Sequence, residues 1–256
     1  MTNNPDDMRA ATAGAVHSEG AVLYTPEHPA RLAVYDFDGT SITGNSPVML
    51  VRYLVFRRKL KFNVWIRVCF WAFAYKFRLP QNESWVRSLV FRAFLGKPKP
   101  EVDAYLARFY EEEVSWRFRP LADQSMCRDT EEGRIVAVVS ASWEAIIERA
   151  RQDHSFQLIA ATSMCIDDAG NYTCKVNGLP VEGEQKVRSV VALADDSFGQ
   201  GNWVLERAYG DHHSDMPLLE AAEHAFVVTP DKPLLREAQK RGWRVLDWSY
   251  KPHRPR

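Results

Sequence analysis

Asp36-Phe37-Asp38-Gly39-Thr40 sets two carboxylates at positions i and i+2, with a glycine directly behind them. In such a pair one carboxylate can attack phosphorus while the other carries a proton to and from the reacting oxygens, the division of labour that phosphoryl transfer needs. Glycine lets the backbone turn sharply at that point. An Asp-Gly turn after a strand is also a common structural device, so the pair by itself leaves both readings open. Three distant segments carry groups of compatible chemistry. Ser140 ends the run Val138-Val-Ser140, Lys186 closes Gly183-Glu-Gln-Lys186, and Gly210-Asp211-His212-His213-Ser214-Asp215 adds two carboxylates. Taken singly, Ser140 reads as well as a helix cap, Lys186 as a solvated charge and Asp211 as a turn residue.

These residues need a scaffold that gathers them. Apolar runs ending near the candidates predict strands at 31–36, 134–139, 157–161, 207–210, 224–228 and 243–246. Helices are expected at 142–152, with Ser142 as N-cap, at 184–194, and at 231–241, capped by Asp231 and stopped at Gly242. Alternation of this kind predicts an α/β fold with a doubly wound parallel sheet, whose ligands bind beyond the carboxyl ends of the strands. Asp36, Ser140 and Asp211 all fall at such ends. Residues 164–181, with Asp-Asp-Ala-Gly and Val-Asn-Gly, predict a small hairpin instead. Residues 42–125 show helical patterning and no parallel strand, which points to a helical cap inserted after the first strand.

The four segments occur in the order of the four motifs of the haloacid dehalogenase superfamily, and the chain resembles that family from about residue 31 to residue 248. The runs VSASWEAIIE, GLPVEGEQK and DMPLLEAAEHAFVVTPDKPLL look like its subfamily IB, the phosphoserine-phosphatase-like branch, and are similar to C-type phosphatidylglycerophosphate phosphatase. The resemblance implies a Rossmann-like core of residues 31–45 and 126–256 and a helical cap of residues 46–125; the small, polar residues ahead of them read as a flexible tail of residues 1–30. It implies a phosphoric monoester hydrolase in which Asp36 forms an aspartyl-phosphate and Asp38 is the general acid and base. Thr40, Ser140 and Lys186 would bind the phosphoryl oxygens. Mg²⁺ would be held by Asp36, the main-chain carbonyl of Asp38, and Asp211, with Asp215 supporting that site or Lys186 from behind. Neither His212 nor His213 is required as a ligand by the family pattern; both are expected to line the pocket mouth, with ligation of Mn²⁺ or Zn²⁺ as the alternative.

Charge and composition narrow the partners. Lys plus Arg and Asp plus Glu each total 33, so nothing global favours nucleic acid. Locally, residues 41–82 hold Arg52, Arg57, Arg58, Lys59, Lys61, Arg67, Lys76 and Arg78 with no acid, interleaved with aromatics from Phe56 to Phe77. Two uses fit such a segment: peripheral contact with an anionic membrane, or a packed cap whose basic side faces an anionic substrate. The stretch 41–50, SITGNSPVML, lacks the counter-charge that a phosphoserine amine would want, which favours a lipid phosphate such as phosphatidylglycerophosphate over an amino-acid phosphate. A soluble small-metabolite phosphatase and a non-catalytic membrane-associated scaffold are the alternatives. No run of 18 uncharged apolar residues and no secretory leader pattern occurs, and Cys69, Cys127, Cys165 and Cys174 lack metal spacing. Reduced thiols and a cytoplasmic protein, peripheral at most to the inner face of the membrane, are therefore expected.

Overall fold

The computed structural model describes residues 23–57 and 92–254. The tail expected at residues 1–30 lies mostly outside them, as does most of the basic and aromatic stretch of the expected cap. Strand β1 (Ala30–Asp36) is followed by helix α1 (Ser46–Phe56), α2 (Lys99–Phe109), a π turn (Tyr110–Val114), a 3₁₀ turn (Ser115–Arg117) and α3 (Pro120–Glu131). Then come β2 (Ile135–Trp143), α4 (Glu144–Arg151), β3 (Leu158–Thr162), the hairpin strands β4 (Met164–Ile166) and β5 (Tyr172–Val176), and α5 (Glu184–Phe198). The chain continues through β6 (Trp203–Gly210), a 3₁₀ turn (His213–Asp215), α6 (Met216–Ala221), β7 (His224–Val228), α7 (Lys232–Arg241) and β8 (Arg244–Leu246).

Six strands form one sheet in the order β3-β2-β1-β6-β7-β8, every pairing parallel. The chain winds outward from β1 through β2 to β3, then returns to the other side of β1 to lay down β6, β7 and β8. The carboxyl end of β1 is thus the switch point, where doubly wound sheets hold their ligands. Sequence explains why β1 takes the centre. Leu32 and Val34 pack on one face with Val190 and Ala194 of α5, Leu218 and Leu219 of α6, and Leu234 of α7. Ala33 and Tyr35 pack on the other with Met126 of α3, Ile146 and Ile147 of α4, and Leu106 of α2. A strand covered on both faces must be apolar throughout, and each aliphatic side chain so buried contributes about 1.5–3 kcal/mol.

The α/β class and the doubly wound parallel sheet therefore agree with the sequence pattern, and β4 and β5 form the expected antiparallel hairpin. Asp231 caps α7 through the Leu234 N–H, and Gly242 ends that helix with φ 70°. Two boundaries differ. β2 runs past Ser140 to Trp143, and α4 begins at Glu144 with no side-chain cap. Ser142 is thus a strand residue, not an N-cap; its hydroxyl is engaged elsewhere. β6 starts at Trp203, well before the predicted 207, because Glu206 and Arg207 break the apolar run yet are satisfied by ion pairs. Glu206 takes Arg31 and Arg134, and Arg207 takes buried Asp129. The boundary drawn between residues 125 and 126 falls inside α3.

Candidate active site

Strand register delivers the candidates to one edge. Asp36, the last residue of β1, stands opposite Val139 of β2, so Ser140 lies one residue beyond it at the same end. On the other side Tyr35 stands opposite Tyr209 of β6, and Gly210 ends that strand immediately before Asp211. α5 runs over the sheet with Lys186 in its first turn, buried among the ends of these strands. The four segments named by their chemistry meet here.

The centre is an ion-pair relay. Lys186 Nζ donates to Asp36 Oδ1 at 2.7 Å and to Asp215 Oδ1 at 2.6 Å, all three side chains being buried. The other oxygen of Asp215 accepts the N–H groups of Asp211 and His212 at 3.2 and 3.1 Å, which fixes the loop after β6. Thr40 Oγ1 donates to Asp211 Oδ1 at 2.9 Å. Its hydroxyl is thereby committed to the acidic loop, leaving its main chain for the phosphate role expected of it. Ser140 is fully buried and its Oγ accepts the Ser142 N–H at 3.0 Å.

Close approach of two loops explains two glycines. A Cβ on Gly39, whose φ is 84°, would stand 2.2 Å from Asp211 Oδ2, and one on Gly210 would stand 2.7 Å from the Asp215 Cβ. The loop behind Asp36 is braced by the residue that precedes α3. Arg119, itself buried, donates to the Gly39 carbonyl at 3.0 Å and to the Trp248 carbonyl. Ser41 Oγ donates to the Asp36 carbonyl at 2.6 Å.

Asp38 faces a different set of partners. Its Oδ1 accepts the Ser46 N–H at 2.5 Å and its Oδ2 accepts the Ser142 hydroxyl. No motif singled out Ser46, Ser142 or Arg119. Arg119 lies 80 positions from the loop it braces, and Ser142 resembles any hydroxyl near a helix start.

Electrostatics follow from burial. Desolvation pushes the Asp36 carboxyl well above the usual range, opposed by Lys186 and reinforced by Asp215 and Asp211. Asp211 is raised to about 7 by burial and by the charge of Asp215. Burial alone would lower Lys186, but the two aspartates outweigh it and hold the ammonium above its ordinary value. Burial also raises Asp38, against hydrogen bonds from Ser142 and Ser46. Carboxylate oxygens of Asp36, Asp211 and Asp215 lie within 4.8 Å of one another. Three crowded carboxylates against one ammonium form a hard-oxygen donor set that fits Mg²⁺. His212 and His213 are exposed, and the His212 ring accepts the Ser214 N–H at 3.2 Å. Cys127, Cys165 and Cys174 are free. Among the described residues no helix is long and apolar enough to cross a membrane.

Comparison with known proteins places this geometry. The sequence model for haloacid dehalogenase-like hydrolases matches residues 33–220. A probable phosphatase of Mycobacterium tuberculosis is 40% identical over 119 residues, 46% of this chain and 39% of that protein. An inhibition of morphological differentiation protein of Streptomyces azureus is 34% identical over 125 residues, 48% of this chain and 42% of that one. The matched segments thus span about two fifths of these relatives. Among solved structures, a Bordetella pertussis protein of unknown function superposes with a TM-score of 0.76 at 23% identity, covering 86% of this chain and all of that one. A phosphoserine phosphatase with a phospho-aspartyl intermediate analogue gives a TM-score of 0.56 at 17% identity, covering 86% and 94% of the two chains.

Proposed function

The chain belongs to the haloacid dehalogenase-like hydrolases, and from that premise we propose that it is a phosphatase that hydrolyses a phosphate monoester through an aspartyl-phosphate on Asp36. The observation that carries the proposal is the Lys186 ammonium, buried between Asp36 and Asp215 at the switch point of the sheet, beside Asp211. A buried lysine that keeps its charge opposes the desolvation that pushes the Asp36 carboxyl up, and so favours the ionised form a nucleophile needs.

The steps follow from the groups present. Asp36 attacks phosphorus while Asp38 protonates the leaving oxygen, so the alcohol departs and the phosphoryl group stays on Asp36. Asp38, now a carboxylate, takes a proton from water as that water attacks phosphorus, which releases phosphate and restores Asp36. Lys186, Ser140 and the main chain at Thr40 hold the phosphoryl oxygens; preorganised donors of this kind do most of the work in such transfers. Asp36, the Asp38 carbonyl and Asp211 would hold Mg²⁺, with Asp215 behind them, and the ion would offset the negative charge of the phosphoryl group.

For the substrate we propose an anionic ester bound under the cap of residues 46–125, a lipid phosphate such as phosphatidylglycerophosphate being the leading case. Support comes from the acid-free, basic and aromatic segment 41–82, which would also give the cap a peripheral hold on an anionic membrane. Phosphate release should be measured with Mg²⁺ against phosphatidylglycerophosphate, phosphoserine and histidinol phosphate, the last because a histidinol-phosphatase of Neisseria meningitidis is 24% identical over 161 residues. Preference for the lipid supports the proposal. Preference for a soluble ester removes the lipid and leaves the phosphatase. A folded protein inert on every ester would favour the scaffold alternative.

A further inference from the structure

We infer that Ser142, braced by Ser46, is a positioning residue that sets the Asp38 carboxyl for proton transfer and ties it to the first helix of the cap. The inference rests on Asp38 serving as the general acid. Both Asp38 oxygens are occupied by protein donors: Oδ1 by the Ser46 N–H at 2.5 Å, Oδ2 by the Ser142 hydroxyl. The two serine oxygens are 2.7 Å apart, and Ser46 and Ser142 are 0% and 2% exposed.

The directions of these bonds can be deduced. A serine hydroxyl has one proton to give and two lone pairs to accept with. If Ser142 donates to Asp38, its oxygen can only accept from Ser46, so the chain runs Ser46 to Ser142 to Asp38. The Ser46 N–H has a fixed direction, so it keeps Oδ1 an acceptor. Such a set of partners fixes both oxygens of the Asp38 carboxyl in place.

Local structure explains how the partners arrive. Pairing between β2 and β3 shifts register between Ser140 and Trp143, and irregularities of this kind re-aim a side chain. On the other side, Ser46 is the first residue of α1, whose early N–H groups have no partner within the helix. Asp38 satisfies one of them, and its charge suits that helix end. The acid is therefore fastened to the segment that begins the cap.

The test compares kcat/KM on phenyl phosphate, whose poor leaving group needs the acid, with p-nitrophenyl phosphate, whose leaving group needs it little. Asp38→Asn provides the reference. Ser142→Ala should lower kcat/KM about 10- to 100-fold on phenyl phosphate but about threefold or less on p-nitrophenyl phosphate. Ser46→Ala should show the same asymmetry more weakly, and Ser142→Thr, which keeps the hydroxyl, should restore most of the loss, all with near-native melting. Equal losses on both esters, or none, in a folded Ser142→Ala protein would overturn the inference while Asp38→Asn shows the asymmetry. Retention of phenyl phosphate turnover by Asp38→Asn would instead remove the role of Asp38 itself, and the inference with it.

Discussion

Replacing Lys186 with methionine tests the electrostatic centre of the site. At 2.7 and 2.6 Å each attraction to Asp36 and Asp215 is worth about 6 kcal/mol at an effective dielectric of about 20. Desolvation of the ions cancels several kcal/mol apiece, so the expected loss from removing one partner is about 3–5 kcal/mol. The loss must depend on pH. Without the ammonium, the Asp36 carboxyl, already pushed up by desolvation, escapes repulsion by keeping a proton that the unfolded chain surrenders near its ordinary value. A carboxyl whose folded pKa is raised loses stability as pH rises from the unfolded pKa towards the folded one. The penalty therefore shrinks by about 1.4 kcal/mol per retained proton for each unit of acidification from pH 8 to pH 6. Urea denaturation of wild type and Lys186→Met, in chelator, reads this directly. An unchanged stability, or a loss independent of pH over that range, would refute the account of Lys186 as the counter-charge of buried carboxylates.

Further consequences concern the loops and the ion. Gly39→Ala would force a methyl against Asp211 at a positive φ, so we expect a loss of about 1–3 kcal/mol and at least a hundredfold fall in phosphatase rate; near-native kinetics would show that the loops part easily. Mg²⁺ should raise the melting temperature of the wild type, by an amount equivalent to about 2.7 kcal/mol at a hundred times its dissociation constant. Asp211→Asn should abolish that shift, and a retained shift would move the ion elsewhere.

Much of the scaffold could be read in the chain because buried parallel strands must be apolar throughout, as in Leu32–Tyr35 and Val136–Val139. Helix punctuation was equally plain where one residue does the work alone, as with Asp231 and Gly242. Legibility ended where polarity was compensated at a distance. The amino half of β6 was missed because Glu206 and Arg207 look solvent-exposed until Arg31, Arg134 and Asp129 are seen beside them. Order of motifs was enough to select Asp36, Lys186, Asp211 and Asp215, which the fold brings into contact. The partners of Asp38 were not legible, since a serine on a strand and a main-chain N–H leave no pattern in sequence. Ser142 was misread for that reason: its hydroxyl would suit a helix cap, and only the continuation of β2 to Trp143 turns it towards the acid.

The covalent role of Asp36 is best tested by rapid acid quench of the protein during turnover of a substrate ester, borohydride reduction of acyl phosphates, and peptide mapping by mass spectrometry. Asp36 should be recovered as homoserine only when substrate and Mg²⁺ are both present. Reduction at any other residue, or none during demonstrable phosphate release, would contradict the nucleophilic role on which the proposed chemistry stands.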